Sequence, residues 1–327
     1  MSSSTSSSDR ASDRARWVPL LSRKVWLGLL VFLGTLEIFT RVSLHDRSKD
    51  FRRFGGYPAK AAALVATPNA QRIAFIGNSA TDRGVDPRVV EAVLARNGRP
   101  AAAELFVADQ SRIDTWRFIF ERYFARPERN PDLVVVSFYE NDLEDGNPIE
   151  IGRLAQFFTS IGDWPELFRV NLRTLDDRAS FVISSFSATY AASDRIRERI
   201  LPALVPGFRD HSERINEIIF QHEQQRSRRR AEAPARPRFA AVERLLDRAA
   251  ERGVKLCVVA YPTLVAGGRS PYDLAPELRD LLARRGIPLI DLRSVPGLGP
   301  EFYADEVHLT EAGRARYSAA LGEALAR

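Results

Sequence analysis

Five short apolar runs constrain the fold of this chain more than any other feature. They cover residues 72–76, 104–108, 133–139, 254–260 and 287–291, each of strand length and rich in β-branched or aromatic side chains. Helical patterns lie between them. Asp86 and Pro87 supply a cap followed by a first-turn proline. The helix they open carries Val89, Val90, Val93 and Leu94, and Asn97-Gly98 gives its stop. Residues 112–124 hold Trp116, Phe118, Ile119, Phe120, Tyr123 and Phe124, too dense an apolar run for an exposed helix. Residues 239–252 and 276–285 lead as helices into the fourth and fifth runs, and 310–326 close the chain as a helix. Strands alternating with helices predict an α/β fold, a three-layer parallel five-stranded sheet covered on both faces. Ligands bind such sheets outside the carboxyl ends of the strands.

Polar groups gather at that edge. The first run breaks at Gly77-Asn78-Ser79, and the third ends in Tyr139-Glu140-Asn141-Asp142. A loop after the fifth run carries Asp305-Glu306-Val307-His308. A serine, a histidine and an aspartate are the parts of a nucleophilic acyl-transfer site, which is assembled in space rather than in sequence. An asparagine beside them is a donor for an oxyanion. Taken singly, each fragment is ordinary turn, cap or surface chemistry. Their common sheet edge is what joins them.

The rest of the chain narrows the function by exclusion. The net charge of +6 is spread along the sequence, which favours a solvated surface over a nucleic-acid groove. The four histidines, His45, His211, His222 and His308, form no pair at zinc spacing, so no metal is expected. No phosphate loop or dinucleotide fingerprint is present, so no cofactor is expected. The one cysteine, Cys257, lies in the fourth apolar run as a core residue.

Residues 1–24 form a serine-rich, basic tail expected to stay disordered. Residues 25–42 approach the length needed to cross a bilayer, and no small-residue cleavage site follows them. They are expected to be a transmembrane signal anchor, with a short cytoplasmic N-terminus and the domain outside. Glu37 lies within this stretch, and basic residues flank both its ends. The alternative is an apolar helix packed on the domain. Residues 43–70 are expected to be a linker and 71–327 the folded domain. Within it, 146–238 is too long for a plain crossover and should be a helical insertion forming a wall of the substrate cleft. The basic run Arg226–Arg230, followed by Pro234 and Pro237, is expected to be a solvated helix end and linker.

The motifs resemble those of the SGNH (GDSL-type) hydrolase superfamily. Gly77-Asn78-Ser79 is similar to its first block, Tyr139-Glu140-Asn141-Asp142 to its third, and Asp305-Glu306-Val307-His308 to its fifth. Leu309-Thr310-Glu311-Ala312-Gly313 continues in the manner of the family. The resemblance covers roughly residues 70–145 and 240–327 and implies a flavodoxin-like sheet. It also implies roles: Ser79 as nucleophile, His308 as base, Asp305 as its orienter, and Asn141 with the Ser79 backbone N–H as oxyanion donors. Three departures stand out. Asn78 replaces an aspartate and Tyr139 a glycine. The second-block glycine, an oxyanion donor, has no counterpart within Ala108–Arg112, where Ser111 is the candidate.

These departures and the apolar N-terminal stretch resemble members found with polysaccharide O-acetylation systems. The implied function is a membrane-anchored serine esterase or O-acyltransferase acting on O-acyl esters, chiefly acetyl, of an envelope or exported glycan. A membrane-bound acyl donor is then an expected partner. Two alternatives remain open at this point: a lipid or carboxylester esterase, and a non-catalytic glycan-binding or assembly protein that keeps the fold.

Overall fold

The structure, a computed structural model, describes residues 23–124, 130–147, 149–193, 205, 207–208, 238–264 and 272–327. The tail and the basic run Arg226–Arg230 lie largely or wholly outside the described residues. The five expected strands all form. They are β1 (Gln71–Gly77), β2 (Ala101–Val107), β3 (Leu133–Phe138), β4 (Lys255–Ala260) and β5 (Leu289–Asp291). All neighbouring pairs are parallel and the order is β2-β1-β3-β4-β5. This is the flavodoxin-like order, with its switch point between β1 and β3.

Alternation along each strand splits the core in two. Ile73, Phe75, Val135, Cys257 and Val259 face one layer, which holds Val90, Leu94, Tyr317 and Leu321. Those partners come from helices α5 (Pro87–Arg96) and α13 (Glu311–Ala326). Ala74, Ile76, Val134, Val136 and Val258 face the other layer, with Trp116, Phe120, Leu245 and Leu278. These come from α6 (Ile113–Phe124), α11 (Ala240–Glu251) and α12 (Pro276–Arg284). Side chains at alternate strand positions point to opposite faces, so a strand covered twice must be apolar throughout. In α6, Trp116, Phe118, Phe120 and Phe124 are all at most 1% exposed, so its aromatics belong to the core.

Residues 43–70 are not a linker. Only Ser48 separates α1 (Arg23–Arg47) from α2 (Lys49–Gly55), and α3 (Tyr57–Ala66) follows after Gly56. Phe54, Tyr57, Ala61 and Leu64 are buried in the core. Tyr57, Ala61 and Leu64 follow helical spacing, so one face of α3 covers the sheet. The Tyr57 hydroxyl accepts from the Val107 N–H at 2.8 Å and donates to the Val107 carbonyl. That side chain occupies the backbone groups of an edge strand. The folded domain therefore begins near Ser48, directly after α1.

The described part of the insertion is helical, as expected. It holds α7 (Ile151–Arg153), a π-helical turn at Leu154–Phe158, α8 (Trp164–Val170), α9 (Leu175–Phe186) and α10 (Ala188–Ala191). Arg153 ties it to the domain: Nε donates to the buried Asp50 at 2.9 Å, and Nη1 donates to the Asp109 carbonyl.

Within α1, residues Arg23–Ser43 are long and apolar enough to cross a membrane, with a mean hydropathy of 1.7. Leu30, Phe32, Ile38 and Phe39 are each more than 60% exposed, so this helix is not buried in the core.

Candidate active site

Strand β1 ends at Gly77 because only glycine fits there. A Cβ would lie 2.0 Å from Thr81 Oγ1 and 3.1 Å from the Ser137 carbonyl. The chain then turns into α4 (Ser79–Gly84), whose cap is Asn78: its side-chain oxygen accepts from the Ala80 N–H at 3.0 Å. This places Ser79 at the first helical position, half-buried, with its hydroxyl at the carboxyl edge of the sheet.

His308 reaches the same point from the far end of the chain. A bridge between Tyr303 and Leu309 closes the loop that carries it, and the Ala304 N–H donates to the His308 carbonyl at 2.7 Å. Asp305 Oδ1 accepts the N–H groups of Val307 at 2.9 Å and His308 at 2.8 Å. Asp305 Oδ2 lies 2.7 Å from His308 Nδ1, and His308 Nε2 lies 2.9 Å from Ser79 Oγ. The three side chains expected to act together thus form one continuous chain of hydrogen bonds. The slight burial of Asp305 works to raise its pKa, but the two N–H donors and the imidazole hold it down to about 2. It stays ionised at all ordinary pH values and fixes the ring with Nε2 toward the serine.

A second cluster joins the loops after β1, β2 and β3. Asn78 Nδ2 donates to Asp142 Oδ2 at 2.9 Å, and the Tyr139 N–H donates to the same oxygen at 3.2 Å. Ser79 and Asn141 are the chain neighbours of this bonded pair. The asparagine at 78 has a physical reason: an aspartate there would face a second buried carboxylate at hydrogen-bond distance. The Ile113 N–H donates to the Asp142 carbonyl at 3.0 Å, which brings in the loop after β2. Arg112 Nη1 then donates to Asn141 Oδ1 at 3.2 Å and to Asn147 Oδ1. With its oxygen engaged, exposed Asn141 is left presenting its NH₂ group.

Ser111 does not fill the place expected of it. Its backbone N–H donates to the Ala108 carbonyl at 3.2 Å, closing a turn in which Gln110 has φ 56°. Its hydroxyl donates to the same carbonyl at 2.6 Å and accepts from Trp116 Nε1 at 2.8 Å. Ser111 is buried and holds the turn rather than facing the site. The next residue is different. The N–H groups of Arg112 and Ser79 have no acceptor among the described residues. Arg112 thus offers the free backbone donor at this turn that Ser111 does not. A backbone donor carries no side-chain signature, so only the turn geometry could separate it from Ser111.

Asp142 is itself unusual. Burial pushes its carboxyl up to about 7, against the pull of the Tyr139 N–H, the Arg112 guanidinium and the Asn78 amide. An unfolded aspartate titrates near about 3.9, so the folded chain holds this proton more tightly. The resulting stability is fully present below about pH 4 and is lost as pH rises through about 7. Asp142→Asn keeps an acceptor for Asn78 and Tyr139 and cannot ionise. Its urea midpoint relative to the parent is expected to rise between mildly acid and mildly alkaline pH, by at most about 4 kcal/mol in free energy. A difference that does not change with pH would contradict this.

A cleft of about 220 Å³ adjoins Asn141 and is lined by Phe138, Glu140, Glu144, Phe239, Tyr272 and Asp273, among others. Glu140 sits there with φ 47°, a backbone conformation rare for a residue with a Cβ.

No family model matches the sequence, and no curated protein matches it. Among solved structures the chain is similar to one described as the crystal structure of the lipase/acylhydrolase from Enterococcus faecalis. The identity is 14% and the TM-score 0.39, over 78% of this chain and 94% of that one. A likeness at that distance carries no argument about chemistry, which rests on the geometry above.

Proposed function

We propose that the chain is a membrane-anchored serine esterase or O-acyltransferase acting on O-acyl esters, chiefly acetyl esters, of an envelope or exported glycan. The observation that carries this reading is the unbroken relay from Asp305 through His308 to Ser79. In the first half-reaction Ser79 Oγ attacks the acyl carbonyl carbon and gives its proton to His308 Nε2. The carbonyl oxygen becomes an oxyanion, stabilised by Asn141 Nδ2 and the N–H groups of Ser79 and Arg112. Collapse breaks the ester bond, and His308 returns the proton to the leaving alcohol. The serine ester left behind is then attacked by water or by a sugar hydroxyl, whose proton passes to His308; the bond from Ser79 Oγ to the acyl carbon breaks, and His308 returns the proton to Ser79 Oγ. Water makes the protein an esterase; a sugar hydroxyl makes it a transferase.

Two observations favour a glycan over a lipid substrate. The cleft beside Asn141 is small and carries Glu140, Glu144 and Asp273, acceptors suited to sugar hydroxyls. An acyl tail laid against carboxylates would strip their water without replacing it. The aromatics of α6, which an acyl chain would need to find at the surface, are core packing. The purified full-length protein is expected to turn over an aryl acetate and to release acetate from an O-acetylated polysaccharide, or to move acetyl onto a deacetylated one. Faster turnover of long-chain esters than of acetyl esters would instead support the lipid reading.

In this account α1 crosses the membrane and the folded domain, beginning near Ser48, stands on the extracytoplasmic side. The insertion forms a wall beside the site edge. Protease added to intact cells is expected to cut the domain; cutting only after lysis would reverse the orientation.

A further inference from the structure

Glu37 is the one carboxylate within the apolar stretch Arg23–Ser43, where an unpaired charge would be costly. It is fully engaged. Oε1 accepts from Arg41 Nε at 2.7 Å and from the Ala188 N–H at 2.7 Å. Oε2 accepts from Ser187 Oγ at 2.9 Å and the Thr189 N–H at 3.1 Å. Arg41 Nη2 reaches the Phe186 carbonyl at 3.1 Å. The joint therefore locks the corner between α9 and α10 of the insertion onto the last turns of α1. A capped helix start and a paired charge explain why a carboxylate is tolerated there.

The joint also sets the depth of that corner. Glu37 precedes Ser43, the end of the apolar stretch, by six residues, or about 9 Å along a helix. Residues bonded to Glu37 therefore sit at the level where interfacial elements enter a bilayer, roughly 5–10 Å below its surface. What this corner displays there is apolar. Ile183 is 46% exposed, Phe186 68% and Tyr190 42%. Ile183 and Phe186 share one helical face, and Tyr190 adds a ring with a polar tip, the chemistry favoured at membrane–water boundaries.

We propose that Ile183, Phe186 and Tyr190 insert into the headgroup–acyl boundary beside α1, as a second membrane contact that fixes the domain against the bilayer. This rests on the reading of α1 as a membrane span. The occupant is lipid because the corner is bonded to the span itself, at a depth where lipid is the surrounding medium. The contact has a consequence for the site. Lys49 and Arg53 of α2, just beyond α1, bind Asp109 at 2.7 Å, and Arg53 also binds Asp82 of α4 at 2.7 Å. Asp82 and Asp109 both follow the carboxyl ends of strands. The loops at the site edge are thereby tied to the segment that directly follows α1.

The test uses the full-length protein in vesicles of phosphatidylcholine and phosphatidylglycerol. An environment-sensitive fluorophore is attached at Phe186→Cys and, as a control, at Arg96→Cys on α5; the native Cys257 is buried and stays unlabelled. Flotation first reports whether the protein is anchored. The proposal expects a blue-shifted emission at 186 that lipids carrying a spin label near the headgroup quench, with no quenching at 96. Adding Glu37→Ala should weaken the quenching at 186 while flotation persists. Flotation without quenching at 186 overturns the proposal and leaves the anchor intact. Failure to float overturns the anchor itself. Probe protection in native membranes but not in vesicles would assign the corner to a protein partner and also overturn the proposal.

Discussion

Replacing Ser79 with alanine is expected to lower kcat/KM on an aryl acetate by about 10⁴- to 10⁶-fold while leaving the fold intact. The loss is large because every covalent step passes through one oxygen. It is separable from misfolding because, among the described residues, that oxygen has a single side-chain partner, His308 Nε2 at 2.9 Å. Removing it breaks no cap: Asn78, not Ser79, closes the start of α4. His308→Ala is expected to cost about as much, and the double variant little more than either single one, since residues of one relay act as a unit. The urea midpoint should move little for Ser79→Ala, and the ratio of activity loss to stability loss is the quantity to report.

Asn141→Ala carries the next largest effect, a fall of about 10²- to 10³-fold in kcat with KM little changed. That pattern marks a donor used in the transition state more than in the ground state. Asn141 is exposed and its oxygen is held by Arg112, so truncation leaves no buried group unpaired. Arg112→Met should reproduce part of this loss, because the amide is then free to turn, while the Arg112 backbone N–H remains. The two substitutions combined should fall short of additivity, as expected for groups in contact. An Asn141→Ala variant with raised KM and unchanged kcat would move Asn141 from the oxyanion to simple substrate binding.

Much of this arrangement was legible in the residues. Parallel strands buried on both faces must be near-continuous apolar runs, and the runs at 72–76 and 133–139 read as β1 and β3 within a residue or so. Ser79, Asn141 and His308 could be placed on one edge because each follows such a run. What stayed hidden depends on contacts between distant segments. Tyr57 packs on β2 fifty residues away, so a stretch containing Gly55-Gly56 and alanines read as a linker. Glu37 finds its donors at 187–189, and without them it looked only like a charge out of place. Ser111 and Arg112 differ in which backbone N–H is free, and side-chain identity says nothing about that.

The central claim is that the Asp305–His308–Ser79 relay is chemically competent. The most direct measurement is reaction of the folded full-length protein with an aryl phosphonate, followed by peptide mass mapping. The account predicts one adduct, on Ser79, that is lost in His308→Ala and after unfolding. A folded protein that stays unlabelled while Ser79→Ala retains its esterase activity would contradict it.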